Sequence, residues 1–176
     1  MITWMTRMSY LDTAADLDSD MLMQLAQESS ELVREMLTVG ENQSPTVRMW
    51  QGYEVALAAY SASMEVELAT RGVFTHLHLE TATLIRDLGR SDDNEYDAPP
   101  WLEDADVLRS HRSNLVRRWP EQYGNSWAKT PELWPYIWPF VSDGGYVLML
   151  SKHDKKLLAS GERVLPKKII ERIENI

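Results

Sequence analysis

Between Ser19 and Gly40 the apolar residues Leu22, Leu25, Leu32, Val33 and Met36 gather on one face only if the backbone turns once every 3.6 residues. A strand would scatter them over both faces. Ser19 stands ahead of the run as an N-cap hydroxyl and Gly40 follows Leu37 as a C-terminal stop, so a helix is expected over residues 19–40. The pattern then recurs. Ser44-Pro45 opens a second, long helix with Val47, Trp50, Leu57, Met64 and Leu68 at helical spacing up to Gly72. A third is expected from His76 to Leu88, stopped by Gly89, and a fourth is capped by Asp104, carries Val107, Leu108, His111 and Leu115 on one face, and ends at Pro120. Capped amphipathic segments joined by short turns bury their faces against one another, so the expected fold is mainly α. Its core should hold Leu22, Leu25, Leu32, Trp50, Leu57, Met64, Val107, Leu115 and Trp138.

The remainder of the chain is of a different character. Residues 90–100 are rich in Ser, Asp, Asn, Glu and Pro and read as an exposed loop. After Tyr123 aromatics and prolines dominate, and Ser142-Asp143-Gly144-Gly145 separates residues 136–141 from 146–150 as a hairpin turn would, with Pro139 confining the first strand to an edge. A short last helix is expected from Pro166, packed through Ile169, Ile170 and Ile173. At 176 residues, with 44% apolar and 26% charged side chains, the chain suits one compact domain. The expected organisation is a helical domain over residues 1–139 and a C-terminal extension, hairpin plus short basic helix, over 140–176.

No run of apolar residues is long enough for a membrane span, and no basic stretch followed by an apolar one opens the chain, so the expected location is the cytoplasm. The cysteine count of zero excludes disulfides, thiolate metal sites and cysteine nucleophiles. The charge bears on partners. With 18 Lys+Arg against 27 Asp+Glu the net charge is −9, which disfavours duplex DNA as a partner, because duplex affinity comes from cations that displace counterions. Residues 151–176 run against this trend, with seven basic and four acidic side chains. Because Lys155, Lys156, Lys167 and Lys168 alternate with Leu157, Leu158, Ile169 and Ile170, this segment should dock on the body or on a second copy, making a homodimer. Its lysines would then approach the acidic residues 92–106.

Two glutamates, Glu28 and Glu54, sit inside otherwise apolar helical stretches, a position that most often marks the edge of a solvated face. The four histidines have no metal-ligand spacing, since His76 and His78 share a face only on a strand. There is no nucleophilic Ser/His/Asp signature and no phosphate-cradling glycine loop, and neither metal nor other cofactor is expected.

Several stretches, taken in order, carry a resemblance. They are Met1-Ile2-Thr3-Trp4; Leu17-Asp18 with Leu22 and Glu28; Pro45-Thr46-Val47-Arg48-Met49-Trp50-Gln51-Gly52-Tyr53-Glu54; Pro99-Pro100-Trp101-Leu102; Arg109-Ser110-His111-Arg112-Ser113; Pro120-Glu121-Gln122-Tyr123; and Pro135-Tyr136-Ile137-Trp138-Pro139. Over about residues 1–139 the chain resembles a family of small actinobacterial and phage proteins that are distant relatives of the pyrimidine-dimer DNA glycosylases of the phage endonuclease V type. The resemblance implies an all-helical, endonuclease V-like domain in which a terminal α-amine is the nucleophile and a helix glutamate assists. A terminal amine is partly neutral at pH 7 and can attack a sugar C1′.

On this reading the catalytic groups are Glu28 and Met1, which bulky Ile2 retains as the terminus. Arg48, Trp50, Tyr53 and Glu54 from one stretch, with Arg109, His111, Arg112 and Trp138 from the others, would bind the substrate. The function implied is action on a damaged or modified base or nucleotide, with a nucleotide or nucleic-acid fragment as partner. The alternative is a pocket that keeps the arginines and aromatics, has lost the reaction, and binds or sequesters a nucleotide-type molecule, as a viral counter-defence protein would.

Overall fold

In the computed structural model the described residues are 3–39, 44–76, 83, 86, 97–143 and 145–174. They form two compact units, Met1–Pro99 and Pro100–Ile176. The division falls at Pro99/Pro100, so the boundary expected after residue 139 lies inside the second unit. The architecture is mainly α, with one antiparallel hairpin near the C-terminus, in agreement with the periodicity.

The first unit holds α1 (Tyr10–Asp16), α2 (Ser19–Val39), α3 (Pro45–Trp50) and α4 (Glu54–Thr70). Helix α1, which the periodicity did not reveal, is one of the shorter elements. Ser9 caps it by accepting from the Asp12 amide at 3.2 Å. Its C-terminal carbonyls, which a helix cannot satisfy itself, are taken up by Arg71, whose guanidinium donates to Leu17 O at 2.8 Å and Ala14 O at 3.4 Å. Helix α2 starts where expected, but its cap is Asp18 and not Ser19. The Asp18 carboxylate accepts from the Met21 amide at 3.0 Å, and Ser19 is already helical.

Helices α2 and α4 pack through small side chains. Ser61 donates to the Ala26 carbonyl at 2.9 Å and pairs with Ser30 at 2.9 Å, so both buried hydroxyls are matched across the helix pair. The long second helix expected over residues 45–72 is instead two helices. Ser44 caps the first as anticipated, accepting from Val47 N. The chain then turns at Gln51-Gly52, where Gly52 takes φ +79° and Tyr53 N donates to Trp50 O at 2.8 Å, a type II turn that only glycine occupies without strain. The helix expected over residues 76–88 lies for the most part outside the described residues.

The second unit begins with a 3₁₀ turn (Pro100–Glu103) and α5 (Ala105–Arg118), capped as expected by Asp104, which accepts from Asp106 N and Val107 N. Pro120 does not simply end this helix. It opens α6 (Pro120–Tyr123), proline being suited to a first helical turn. Strands β1 (Trp138–Ser142) and β2 (Gly145–Met149) pair antiparallel with Trp138 opposite Met149 and Ser142 opposite Gly145. Then come α7 (Lys152–Ser160), capped by Ser151 and not foreseen, and α8 (Lys167–Ile170).

The C-terminal segment docks on its own unit. Ile169 and Ile173 are buried, Ile173 bridges in parallel to Leu148, and Glu174 N donates to Leu148 O at 3.0 Å. Of the expected core, Leu22, Leu25, Leu32, Trp50, Leu57, Met64, Val107 and Leu115 are buried. Trp138, at the start of β1, is only half-buried, whereas Pro139 and Phe140 of the same strand are buried. Among the described residues no helix is long and apolar enough to cross a membrane.

Candidate functional site

The site residues expected from sequence divide between the two units. In the first, the N-terminal segment is irregular and buried: Thr3, Trp4, Met5 and Thr6 are almost wholly shielded from solvent. Its polar groups are matched individually. The Trp50 indole N–H donates to Thr3 Oγ1 at 2.9 Å, and the Tyr60 hydroxyl donates to the Trp4 carbonyl at 3.0 Å. The Thr6 hydroxyl donates to Asp16 at 2.7 Å, and Asp16 also receives the Arg7 guanidinium at 2.7 and 3.0 Å. Trp50 packs tilted and Tyr60 edge-on against Tyr10, with ring centroids 6.2 and 5.7 Å away, so the indole and the phenol that grip the segment are themselves packed in place.

Trp50, expected to touch substrate, is therefore fully buried and committed to Thr3. Glu28 is half-buried on α2, and its Oε1 accepts from Gln24 Nε2 at 2.7 Å. Burial pushes the Tyr60 hydroxyl well above its ordinary range against the opposing bond to Trp4, with smaller upward contributions from Tyr10 and then Glu28. Glu54 is occupied locally, its Oε1 accepting from Gly52 N at 3.1 Å. Arg48 and Tyr53 are half-buried, on α3 and at the cap of α4. Met1 lies outside the described residues.

Sequence reasoning missed Tyr60 and Glu65. Tyr60 stands in an alanine-rich helix with no motif around it, and Glu65 is a carboxylate buried to 6% exposure in the same helix. Because a buried carboxylate is costly, a glutamate on an otherwise apolar face was the signal available for Glu65.

In the second unit the Arg-Ser-His-Arg-Ser stretch lies on α5 and grips the irregular segment 131–137. Ser110 Oγ donates to Pro135 O at 2.7 Å and accepts from Ile137 N at 2.8 Å; Ser113 donates to Pro131 O; Asn114 Nδ2 and Arg117 Nη1 donate to Trp134 O at 3.4 and 2.8 Å. His111 is fully buried and stacked on Tyr136, centroids 4.6 Å apart, and Tyr136 meets Trp138 edge-on at 4.5 Å. Burial, helped by the charge of Arg112 and opposed by a hydrogen bond with the Ile137 backbone, pushes the imidazole down to about 3. It is uncharged at neutral pH and offers no cation to a phosphate. Arg109 is 44% exposed, with its guanidinium 5.3 Å above the Trp134 ring and 3.9 Å from Asp106. Arg112 is half-buried.

The buried N-terminal segment, α2 with Glu28 and the α3–α4 turn are all within the part of the chain that compares with known proteins. Residues 1–81 match the family model described as pyrimidine dimer DNA glycosylase. The resemblance read from the sequence is upheld there, in keeping with a distant relation to the phage endonuclease V type. Glu28, Arg48, Trp50, Tyr53 and Glu54 fall inside the glycosylase match; the stretches from Pro99 to Pro139 lie beyond its end. No curated protein and no solved structure matches the chain.

Proposed function

We propose that the protein is a DNA-glycosylase-like enzyme acting on a damaged or modified base, with the Met1 amine as nucleophile and Glu28 as the assisting carboxylate. The observation that carries this reading is the anchoring of the N-terminal segment. Trp50 holds Thr3 and Tyr60 holds the Trp4 carbonyl, and Glu28 stands on α2, the helix that packs against the α4 helix carrying Tyr60.

In the reaction the amine nitrogen attacks C1′ of the deoxyribose, the C1′–N bond to the base breaks, and the base leaves with a proton. The C1′–O4′ bond then breaks, the amine's remaining proton passes to O4′, and the nitrogen lone pair forms the C1′=N bond of an imine. Glu28 stabilises the positive charge that grows on the sugar and passes protons between nitrogen and leaving group. Trp50, Tyr60 and Thr3 act by position.

Borohydride added to protein and lesion-bearing oligonucleotides should trap a covalent adduct at the chain terminus. Glu28→Gln should slow trapping by about 10²-fold or more, and a short N-terminal extension should abolish it. No adduct across a lesion panel that includes cyclobutane dimers would overturn the proposal. The second reading, nucleotide binding without turnover, is favoured by Arg109, whose guanidinium is exposed and lies 5.3 Å from the centre of the Trp134 ring. It predicts a rise in melting temperature with nucleotides and no adduct.

A further inference from the structure

The net charge of −9 conceals a division between the units. Met1–Pro99 carries six Lys+Arg against seventeen Asp+Glu, and Pro100–Ile176 carries twelve against ten. The unit that holds Glu28 and the glycosylase match therefore repels a polyanion, so cations that draw DNA to this protein have to come from the second unit. Several of the second unit's cations are already answered. Arg172 binds Asp104, Arg109 and Lys168 each lie 3.9 Å from Asp106, Lys167 lies 3.8 Å from Glu171, and Arg117 donates to Trp134 O.

Helix α7 is arranged differently. At 3.6 residues per turn, Lys155, Ala159, Lys152 and Lys156 lie side by side across an arc of about 100°, with Leu157, Asp154 and Leu158 on the opposite side. Leu157, Asp154 and Leu158 are half-buried and root the helix on its unit, Lys152, Lys156 and Ala159 are exposed, and no residue of the helix is buried. Neither Lys152 nor Lys156 has an acidic partner among the described residues. The acids nearest in sequence stand off this face. Asp154 accepts from the Ser151 hydroxyl at 2.9 Å, and Glu162, beyond the end of the helix, accepts from the Ser160 hydroxyl at 2.9 Å.

A helix this short is not stable in water by itself, and α7 is tied at both ends. Ser151 accepts from Asp154 N at 2.9 Å, Gly161 turns the chain away at φ +81° with its amide on Leu158 O at 3.2 Å, and Arg163 N donates to Leu157 O at 3.0 Å. The lysines thus project from a fixed surface and not from a loose tail.

We propose that the Lys152–Lys155–Lys156 face of α7 docks on the phosphate backbone of duplex DNA and supplies the sequence-independent attraction that the first unit lacks. Side chains one helical turn apart start about 6 Å from each other, and each DNA strand sets a phosphate about every 3.4 Å of axis, so Lys152 and Lys156 reach separate phosphates. An ammonium on a flexible stem is a point charge with no demand for a planar partner, which suits contact with a backbone at any register. The choice of DNA over another polyanion rests on the glycosylase reading, but the docking uses neither Met1 nor Glu28.

The test is fluorescence anisotropy of a short, labelled, undamaged duplex with the full chain. Lys152→Gln/Lys156→Gln should weaken binding at low salt at least about tenfold, and should flatten the slope of log K against log salt by about 1.8, two contacts at about 0.9 each, with the melting temperature unchanged. Ala159→Glu, which sets an acid among the lysines, should weaken binding to a similar extent and decides if the double variant fails to fold. Lys167→Gln removes an equally exposed charge that Glu171 already answers, and should cost less than Lys152→Gln alone. The proposal is overturned if wild type does not bind the duplex at low salt, if the double variant and Ala159→Glu bind as wild type does, or if Lys167→Gln loses as much as Lys152→Gln. It is also overturned if the double variant lowers the sedimenting mass of the free protein, because the face then seats a second copy. Imine trapping is read separately: duplex binding through α7 with no trapped adduct upholds this docking and overturns the glycosylase chemistry.

Discussion

At the residue scale, polar side chains of α5 hold the backbone of the segment packed against it. Ser110 shows why: its hydroxyl uses donor and acceptor at once, on Pro135 O and Ile137 N, in a fully buried setting. Segment 131–137 contains two prolines and no regular structure, so its backbone groups have no ladder to satisfy them and take side chains from α5 instead. Ser110→Ala strands a carbonyl and an amide together, and should lower the unfolding free energy by about 2–4 kcal/mol in urea denaturation. A loss under about 1 kcal/mol would mean that water replaces the hydroxyl. His111 belongs to the same clasp. Kept neutral by burial and stacked on Tyr136, it packs the segment and leaves Arg109 as the exposed cation of the motif.

At the element scale, the break between α3 and α4 is what gives the N-terminal segment its anchor. A single helix over residues 45–72 would carry Trp50 and Tyr60 along one straight axis. The Gln51-Gly52 turn redirects the chain, and both rings then converge on Tyr10 and on residues 3 and 4. An added Cβ at Gly52 meets nothing within 4 Å, so its cost is conformational alone. Gly52→Ala should therefore destabilise by about 1 kcal/mol, read as a lower urea midpoint at unchanged slope. If the glycosylase reading holds, it should also slow imine trapping, because the groups that position the terminus move with the turn. A larger loss of stability would show that the turn cannot keep its geometry with a side chain present.

For the whole molecule, acid and base are balanced inside the second unit rather than across the chain. Of the lysines expected to approach acidic residues 92–106, Lys168 lies 3.9 Å from Asp106, and the stronger contact comes from Arg172, which binds Asp104 and lies 3.5 Å from Asp106. Tyr146 donates to Asp104 at 2.7 Å. Burial pushes the Asp104 carboxyl up, but bonds from Arg172, Tyr146 and the Asp106 amide outweigh it and hold the group below its ordinary value. A carboxyl depressed on folding stabilises the native state above its unfolded pKa, near 4, and that stability is lost as the pH falls through the folded value. Tyr146, pushed up to about 12 by burial and by Asp104, keeps its proton through the neutral range. Arg172→Gln should move the Asp104 midpoint upward in a carboxyl NMR titration and make unfolding below pH 4 less steep with pH. An unmoved midpoint would show that the Asp106 amide and Tyr146 alone hold the carboxylate.

Helix periodicity and local capping were legible in the chain itself. The 3.6-residue spacing about Leu22, the caps at Ser44 and Asp104, the hairpin around Ser142 and the docking isoleucines Ile169 and Ile173 depend on neighbours a few residues away, and local chemistry decides them. The glycosylase resemblance was legible for the same reason, as ordered short motifs. What lay beyond local sequence was where side chains from separate segments meet. Nothing near Gly52 in the sequence says whether a glycine after a helical turn is tolerated or bends the chain, because that depends on what the bend buries. Likewise, nothing around Ser110 or Trp50 says whether each will face a ligand or the protein itself. Their partners stand 25 to 47 positions away. Hydrogen bonds at such separation form only once the helices have packed, and so tertiary structure alone assigned these residues their work.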